Sequence, residues 1–586
     1  MSLFGDLYVG TSGLQTSQEA LNVVSHNVTN TDTKGYVRQQ VQQSTREYNR
    51  ISLDFRGVSQ KQTGLGVFIS EVRQVRDRFV DASYREEYGR QGFYDASYAA
   101  IEEVEEVFGE MDGANFYESM NDMWTAIEEL VKDPSSEVCQ SMFVQYAQSF
   151  AEAAGNVYKD FSDYQDKLNV AVYNDVNRIN ELGHKIYTLN NEIRGIEAGG
   201  VENANDLKDQ RNLALDELAN LAKISYGEDY FGNVLVKIEE HDFVMMDRVN
   251  DMGCLTDDTG FNNVFWPDSA KFFLNAAGEK IYQPETAQVF NYDVEISSSI
   301  DTDIGGLKGV LLARGDHRGS WTDLLSDAEY DDIKDSVMMN VMAEFDGLVH
   351  NTITAVNKVI AEHSDPAHDY LMGLDGNPLQ VFHRIGCDNT KTPELVKQAD
   401  IGDGTGTQPY TKYYDEGKCH IVDAVDGTDY GIYTLNANGD YVSDSSAWFS
   451  SGNIYVNQDL LQYPTHLGFM KPDGSVDYDT VRALEDAFNS KEYILNPTLT
   501  NPICITEYYS NLVGQVANSG NVYMSLKDNQ SLTVESVESK RQGSIGVSTD
   551  EELANMIKFQ NAYNASSRFI NVIDECAEHL INTLGR

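Results

Sequence analysis

Two histidines stand where acid–base or metal chemistry would put them: His241 directly follows Glu239 and Glu240, and His363 follows Glu362. A helical metal site needs a second ligand one turn away, as in H-E-x-x-H, and neither histidine has one at that spacing, so both read as surface histidines. "GDGTGT" at Gly402 to Thr407 is glycine-rich like a phosphate loop but lacks a lysine, and reads as a turn. "LDGNP", "VDGTD", "NANGD" and "PDGSVDYD" set Asp or Asn beside Gly as calcium loops do. None completes a D-x-D-x-D-G with its later Glu, so they read as β-turns, with weak surface Ca²⁺ binding as the alternative. The six cysteines are widely spaced, with no C-x-x-C and no histidine at zinc-ligand distance, and are expected to be free thiols. No nucleophile elbow, Walker A loop or dinucleotide fingerprint occurs. The expectation is a chain with no catalytic residues, no cofactor and no metal.

With 93 acidic against 43 basic residues, the 586-residue chain carries a net charge of −50, which argues against nucleic acid and against an anionic membrane as partners. Its 33 Tyr and 24 Phe are too many for a disordered acidic polymer, so it is expected to fold, into roughly three or four domains. No apolar run reaches the length of a membrane span, and the first basic residue, Lys34, comes too late for the charged start of a secretory signal.

The elements that would carry these residues are mainly helical. Leu7, Leu14, Leu21 and Val28 recur every seven residues, with Leu3 and Val24 on the intermediate positions, as a seam weakened by Gly10 and Ser17. Near the other end, Met556, Tyr563, Ile570, Ala577 and Leu584 form one row, and Phe559, Ile573 and Leu580, with Ser566, form a second. Amphipathic helices need partners. The two ends are expected to pair as coiled-coil helices, leaving surface for other subunits; the alternative is that each docks on a globular core of its own chain. Asp133-Pro134 stops a helix, Ser135 or Ser136 can cap the next, and a proline-free helix is predicted from about Glu137 to Ala198, ended by Gly199-Gly200. The predicted fold class is mainly α with β-rich insertions. Residues 1–34 and 546–586 form a terminal coiled-coil layer, and 35–76 an irregular or β linker. A helical rod domain takes 77–224, 304–364 and 501–545, and β-rich modules are inserted at 225–303 and 365–500.

Particular residues add a resemblance. "SHNVTNTDTKGYVRQ" resembles the motif of the axial proteins of the bacterial flagellum, falling on Asn27, Asn30, Thr33, Gly35, Tyr36 and Arg38. "DLKDQRNLALDELANL" is similar to a stretch typical of the hook-associated protein 1 family, through Leu207, Asp209, Gln210 and Arg211, with Asn212 where Asp is usual. "GGLKGVLLARGD" and "GVSTDEELANMIKFQNAYNASSRFINVIDE" resemble further segments of that family, the latter through Asp550, Glu551, Glu552, Phe559, Gln560, Ala562, Tyr563, Ala565 and Arg568. The resemblance implies a structural subunit of the hook–filament junction, secreted unfolded by type III export to the extracellular flagellum. It also implies a ring of copies, docking to hook protein and to hook-associated protein 3, and an export chaperone on the C-terminal helix. The chain ends are then expected to stay disordered until neighbours bury them, with Tyr36 and Arg38 aiming the chain toward a neighbour. The alternatives are another axial protein such as flagellin, or an axial scaffold that displays an adhesin or enzyme through Asp365 to Thr500.

Overall fold

The computed structural model describes residues 3–584 apart from 47–48, 52–60, 110–115, 201, 258, 275–277, 293, 374–375, 377, 386–400, 403–411, 416–419, 424–428, 436–440 and 444–448. It is mostly helical, with several small sheets that are antiparallel except for one strand pair. Helix α1 (Leu3–Thr29) leads into strands β1 (Gln39–Thr45), β2 (Asn49–Ile51), β3 (Lys61–Thr63) and β4 (Val67–Gln74), with β1 on β4 and β2 on β3. Four helices follow: α2 (Arg78–Phe108), α3 (Phe116–Lys132), α4 (Glu137–Glu197) and α5 (Asn205–Leu221). Strands β5 (Ile224–Glu228), β6 (Val234–Ile238) and β7 (His241–Val244) make one sheet. Two hairpins come next, β8 (Gly253–Thr256) with β9 (Asn262–Phe265) and β10 (Lys271–Leu274) with β11 (Lys280–Gln283). Helices α6 (Gly306–Arg314), α7 (Asp327–Ile333) and α8 (Val337–Glu362) precede β12 (Phe382–Arg384). A five-stranded sheet holds β13 (Ile401–Gly402), β14 (Lys412–Asp415), β15 (His420–Asp423), β16 (Asp429–Leu435) and β17 (Tyr441–Ser443). The chain closes with β18 (Ile454–Val456), α9 (Gln458–Gln462), α10 (Tyr478–Asn489), α11 (Ile505–Ile545) and α12 (Thr549–Leu584).

Helix α4 organises the middle of the molecule. Ser136 caps it by accepting the Cys139 amide, and no proline interrupts its 61 residues, which at ~1.5 Å per residue span roughly 90 Å. Its N-terminal half, through Phe143, Phe150 and Phe161, enters a core shared with α2, α3, α8, α10 and α11. Its C-terminal half, through Val172, Ile179 and Ile186, enters a second core with α5, α6 and strands β5 to β7. Phe243 of β7 lies so close to Gly183 of α4 that a Cβ there would stand 2.4 Å from the ring.

Both regions read as β-rich contribute residues to the helical cores. The strands within 225–303 share the second core with α4, α5 and α6, because their alternating apolar residues Val234, Val236 and Ile238 bury against those helices. Within 365–500, helix α10 is capped by Asp477, which accepts the Asp479 and Thr480 amides, and it buries Val481, Leu484 and Phe488 in the first core. Helical apolar spacing overrides the Asp, Gly and Tyr density around it.

Candidate functional site: a polar joint between the chain ends

Helices α1 and α12 lie against each other in opposite directions. A Cβ on Gly10 would stand 2.8 Å from Ile570 Cγ1, one on Gly13 would stand 2.8 Å from Ser566 Oγ, and Asn27 reaches Glu552. The buried face of α1 is Ser12, Thr16, Ser17, Ala20, Val24 and Asn27. Burying hydroxyls in a helix contact is tolerable because each is satisfied at home: Thr16 Oγ1 donates to the Ser12 carbonyl and Ser17 Oγ to the Gly13 carbonyl, both at 2.8 Å. Gly10 and Ser17, read from the sequence as flaws in a leucine seam, therefore belong to the close-packed region. Leu14, Leu21 and Val28 are half-buried beside it, and Leu7 is exposed. On α12, Ile573 is buried, Met556, Phe559, Tyr563 and Ile570 are half-buried, and Leu580 is exposed. Both ends are helices, and in this chain they pair with each other.

The end of α1 is built from its own polar residues. Asn30 Nδ2 donates to the His26 carbonyl, two turns follow (the Thr33 amide to the Asn30 carbonyl, the Tyr36 amide to the Thr33 carbonyl), and Gly35 at φ +82° packs on Leu213 of α5. Tyr36 then folds back: its hydroxyl donates to Asn27 Oδ1 at 2.8 Å and lies 3.0 Å from His26 Nδ1. Burial, and then the carboxylates of Asp206, Asp209 and Glu552, push its pKa up, so it stays a donor.

Asn27 is the hub. Its Oδ1 also accepts the Gln39 amide at 3.0 Å, and its Nδ2 donates to the Gln39 carbonyl at 2.9 Å and to Glu552 Oε2 at 3.1 Å. These contacts use all four of its hydrogen-bonding positions. Arg38 Nε donates to Glu552 Oε1 at 2.9 Å and Nη1 to Glu551 Oε2 at 2.8 Å, while its amide donates to the Ile545 carbonyl. Arg38 and Tyr36 thus aim the chain at its own C-terminal helix. The matching carboxylates stand at the start of α12, where they also favour the positive end of the helix dipole.

Helix α5 supplies the third side. Asp209 Oδ2 accepts the Val37 amide at 3.2 Å, and Oδ1 accepts Gln74 Nε2 at 2.7 Å. Burial pushes the Asp209 carboxyl up to about 7 against those two donors. Behind it, Arg85 and Arg541 both hold Asp216, each at 2.7 Å, and the Arg541 guanidinium lies 3.8 Å over the Tyr84 ring. The terminal motifs and the "DQR" stretch, hundreds of residues apart in sequence, meet at one place. Sequence reading singled out Asn27, Tyr36, Arg38, Asp209 and Glu552 separately, and missed Gln74, Asp216 and Arg541.

The residues read for chemistry have structural roles. His241 stacks on Trp266 at 4.2 Å, with Nε2 3.1 Å from Ser269 Oγ, and His363 Nδ1 donates to the Val359 carbonyl at the end of α8. In "PDGSVDYD", Asp473 Oδ1 accepts the Ser475 amide and hydroxyl, closing a turn. "VDGTD" and "NANGD" lie largely outside the described residues, as do most of "GDGTGT", part of "LDGNP", Cys387 and Cys419. Cys139, Cys254, Cys504 and Cys576 are free thiols. Among the described residues, no group of three or more His, Cys, Asp and Glu could hold a metal, and no helix is long and apolar enough to cross a membrane.

Residues 101–365 match the family described as flagellar hook-associated protein FlgK helical domain. Residues 7–36 match the flagella basal body rod protein family, and 541–583 the C-terminal segment of the flagellar basal body rod FlgEFG proteins. The two shorter matches contain Asn27, Tyr36 and Glu552, three residues of the joint. Flagellar hook-associated protein 1 of Bacillus subtilis is 24% identical over 100% of this chain and 99% of its own length. The Salmonella typhimurium protein of the same name is 22% identical over 97% of this chain and 98% of its own length. The solved structure of the flagellar hook junction protein FlgK from Burkholderia pseudomallei shares the fold, with a TM-score of 0.51 at 12% identity over 78% of this chain and 99% of that one. The matched families and relatives are all described as flagellar proteins. From end to end, this chain is similar to flagellar hook-associated protein 1, with a segment that matches the FlgK helical domain set between segments that match axial-protein families and close on each other.

Proposed function

We propose that the chain is a structural, non-catalytic subunit of the hook–filament junction, standing between hook protein on one side and hook-associated protein 3 on the other as a ring of copies. Relatives named flagellar hook-associated protein 1 match it over nearly their whole length, and this supports the reading. The single observation that carries the mechanism is the apolar surface left on α12 after α1 has covered one side: Ile557, Val572 and Ile581 are 61%, 55% and 72% exposed. Such positions seek cover from other chains. The polar joint sets the angle at which the paired ends leave the helical domain, and the outer faces of the pair, including Leu7, Leu14, Leu21 and Leu580, build an inner coiled-coil layer with neighbouring copies. The sheet of β13 to β17 serves as an outward module. Secretion by type III export to the extracellular flagellum, with an export chaperone shielding α12, completes the reading.

Immunogold labelling of the protein on intact flagella tests it. The expected result is one band at the hook tip; label along the whole filament would overturn the junction role in favour of a filament protein. Leu14→Asp or Ile570→Asp is expected to abolish assembly while circular dichroism of the helical domain is unchanged, and a motile strain with normal filaments would contradict that.

A further inference from the structure

The turn between β5 and β6 holds two aromatic side chains out in water on a fully bonded support. Tyr230 is 97% exposed and Phe231 62%, with their rings edge to face at 5.6 Å. Beneath them, Asp229 Oδ1 accepts the Phe231 and Asn233 amides and Oδ2 accepts Asn233 Nδ2, all at 2.8 Å, while Gly232 takes a φ of +80° and Asn233 is buried. A turn bonded in this way is ordered before it meets anything, so its exposed rings bind with little further loss of backbone freedom. Glu228 at the base of the turn meets Arg78, and next to Arg78 in the chain is Phe79, itself 79% exposed. At about 200 Å² per aromatic side chain these residues offer roughly 450 Å², over half of the ~800 Å² that each partner buries in a stable interface.

A hollow of about 450 Å³ lies under the loop that ends α1, walled by Tyr84 and Tyr88 of α2, Leu213 of α5, Val547, and Asp32 and Tyr36. The Tyr84 and Tyr88 rings stack at 5.4 Å, and neither their hydroxyls nor the Asp32 carboxylate has a hydrogen-bond partner among the described residues. The aromatic turn approaches the same two helices from another side. It reaches α2 through Arg78 and through Arg85 over the Tyr226 ring, and α5 through Arg211, whose Nη1 donates to the Gly232 carbonyl. On each helix these residues and the walls of the hollow occupy different faces, so turn and hollow flank the α2–α5 pair and do not meet within one chain.

We propose that the Tyr230–Phe231 turn of one copy seats in this hollow of a second copy. The inference rests on the junction reading, in which copies form a ring. A projection on one side and a hollow on another make a head-to-tail contact, the kind that closes into rings. The guest rings meet Tyr84, Tyr88 and Leu213, and the Tyr230 hydroxyl finds an acceptor in Asp32. Because Thr31 to Tyr36 roof the hollow, a seated turn also braces the angle of the neighbour's joint.

Cysteine pairing on intact flagella tests the contact. One strain makes two full-length chains, one with Phe231→Cys and one with Gln542→Cys on the rim of the hollow, and a short bismaleimide is added. A 231–542 link between copies, identified by mass spectrometry, is expected, and none in strains carrying either variant alone; its absence from assembled flagella overturns the contact. Should Gln542→Cys fail to assemble, Glu217→Cys on the same rim takes its place. Tyr230→Ser/Phe231→Ser is expected to lower the number of labelled hook tips at least tenfold with circular dichroism unchanged, and a wild-type number of labelled tips overturns the turn as the docking element. A hook-tip label without the 231–542 link defeats this inference and spares the junction reading. The link in flagella labelled along the whole filament does the reverse.

Discussion

The helical core and the terminal joint hold their parts together by opposite means. In the core, Phe108, Phe116, Phe150, Phe161, Phe345 and Tyr509 form a connected cluster of rings, with Phe116 and Phe345 only 4.8 Å apart. Such packing is non-directional and is felt throughout the domain. In the joint, glycines and hydroxyl residues bring two helices together, and Asn27, Arg38, Asp209 and Glu552 fix their geometry through directed bonds. Each such bond adds little net stability, but leaving a buried partner unmet costs more. The core therefore supplies stability, whereas the joint supplies an angle.

The largest expected difference comes from truncating the core. Phe345→Ala should cost about 3–5 kcal/mol in equilibrium denaturation, unfolding both regions together. Glu552→Ala should cost about 2–3 kcal/mol locally, since Glu552 is 2% exposed and its loss strands Asn27 and Arg38. Faster hydrogen exchange confined to α1 and the start of α12 would support the contrast, and an equal change across α4 would break it.

Acidity acts on both regions with one sign. Burial raises Glu344 in the core and Asp209 in the joint to about 7, so over roughly pH 4 to 7 the folded chain keeps protons that the unfolded chain has released. Stability should fall as pH rises through that window, by about 3–4 kcal/mol per group. Glu344→Gln should flatten the slope of the global transition, and Asp209→Asn only that of joint opening by hydrogen exchange. Gly13→Val should then cost about 1–2 kcal/mol by wedging α1 off Ser566. Smallest of all, salt raised from 0.05 to 0.5 M should loosen the joint by less than ~1 kcal/mol through Arg38 and Glu551, and leave the core unmoved.

What could be read in advance follows from the range of each interaction. Helix α4 was legible because its signals are local: Ser136 before it, apolar residues at helical spacing, no proline, and a glycine pair after it. Helix α10 carried a capping residue and helical apolar spacing too, but was masked by turn-forming neighbours. The contact between the ends was anticipated, but its residues were displaced, because a search for large apolar residues passes over glycine and serine, whose value depends on what stands opposite. No periodicity links Asn27 to Glu552 or Val37 to Asp209. The resemblance supplied those motifs one at a time and said nothing of their convergence.

The hydrogen bond from Asn27 to Glu552 joins residues 525 positions apart. Closing so wide a span unaided would be entropically costly, and the folded helical domain holds the two ends within reach. The joint therefore reports on the whole chain. A polypeptide cut short before Glu552 presents one half of it and cannot latch. Closure is thus a molecular certificate of completeness, legible to any neighbour that binds the closed pair and not the open one.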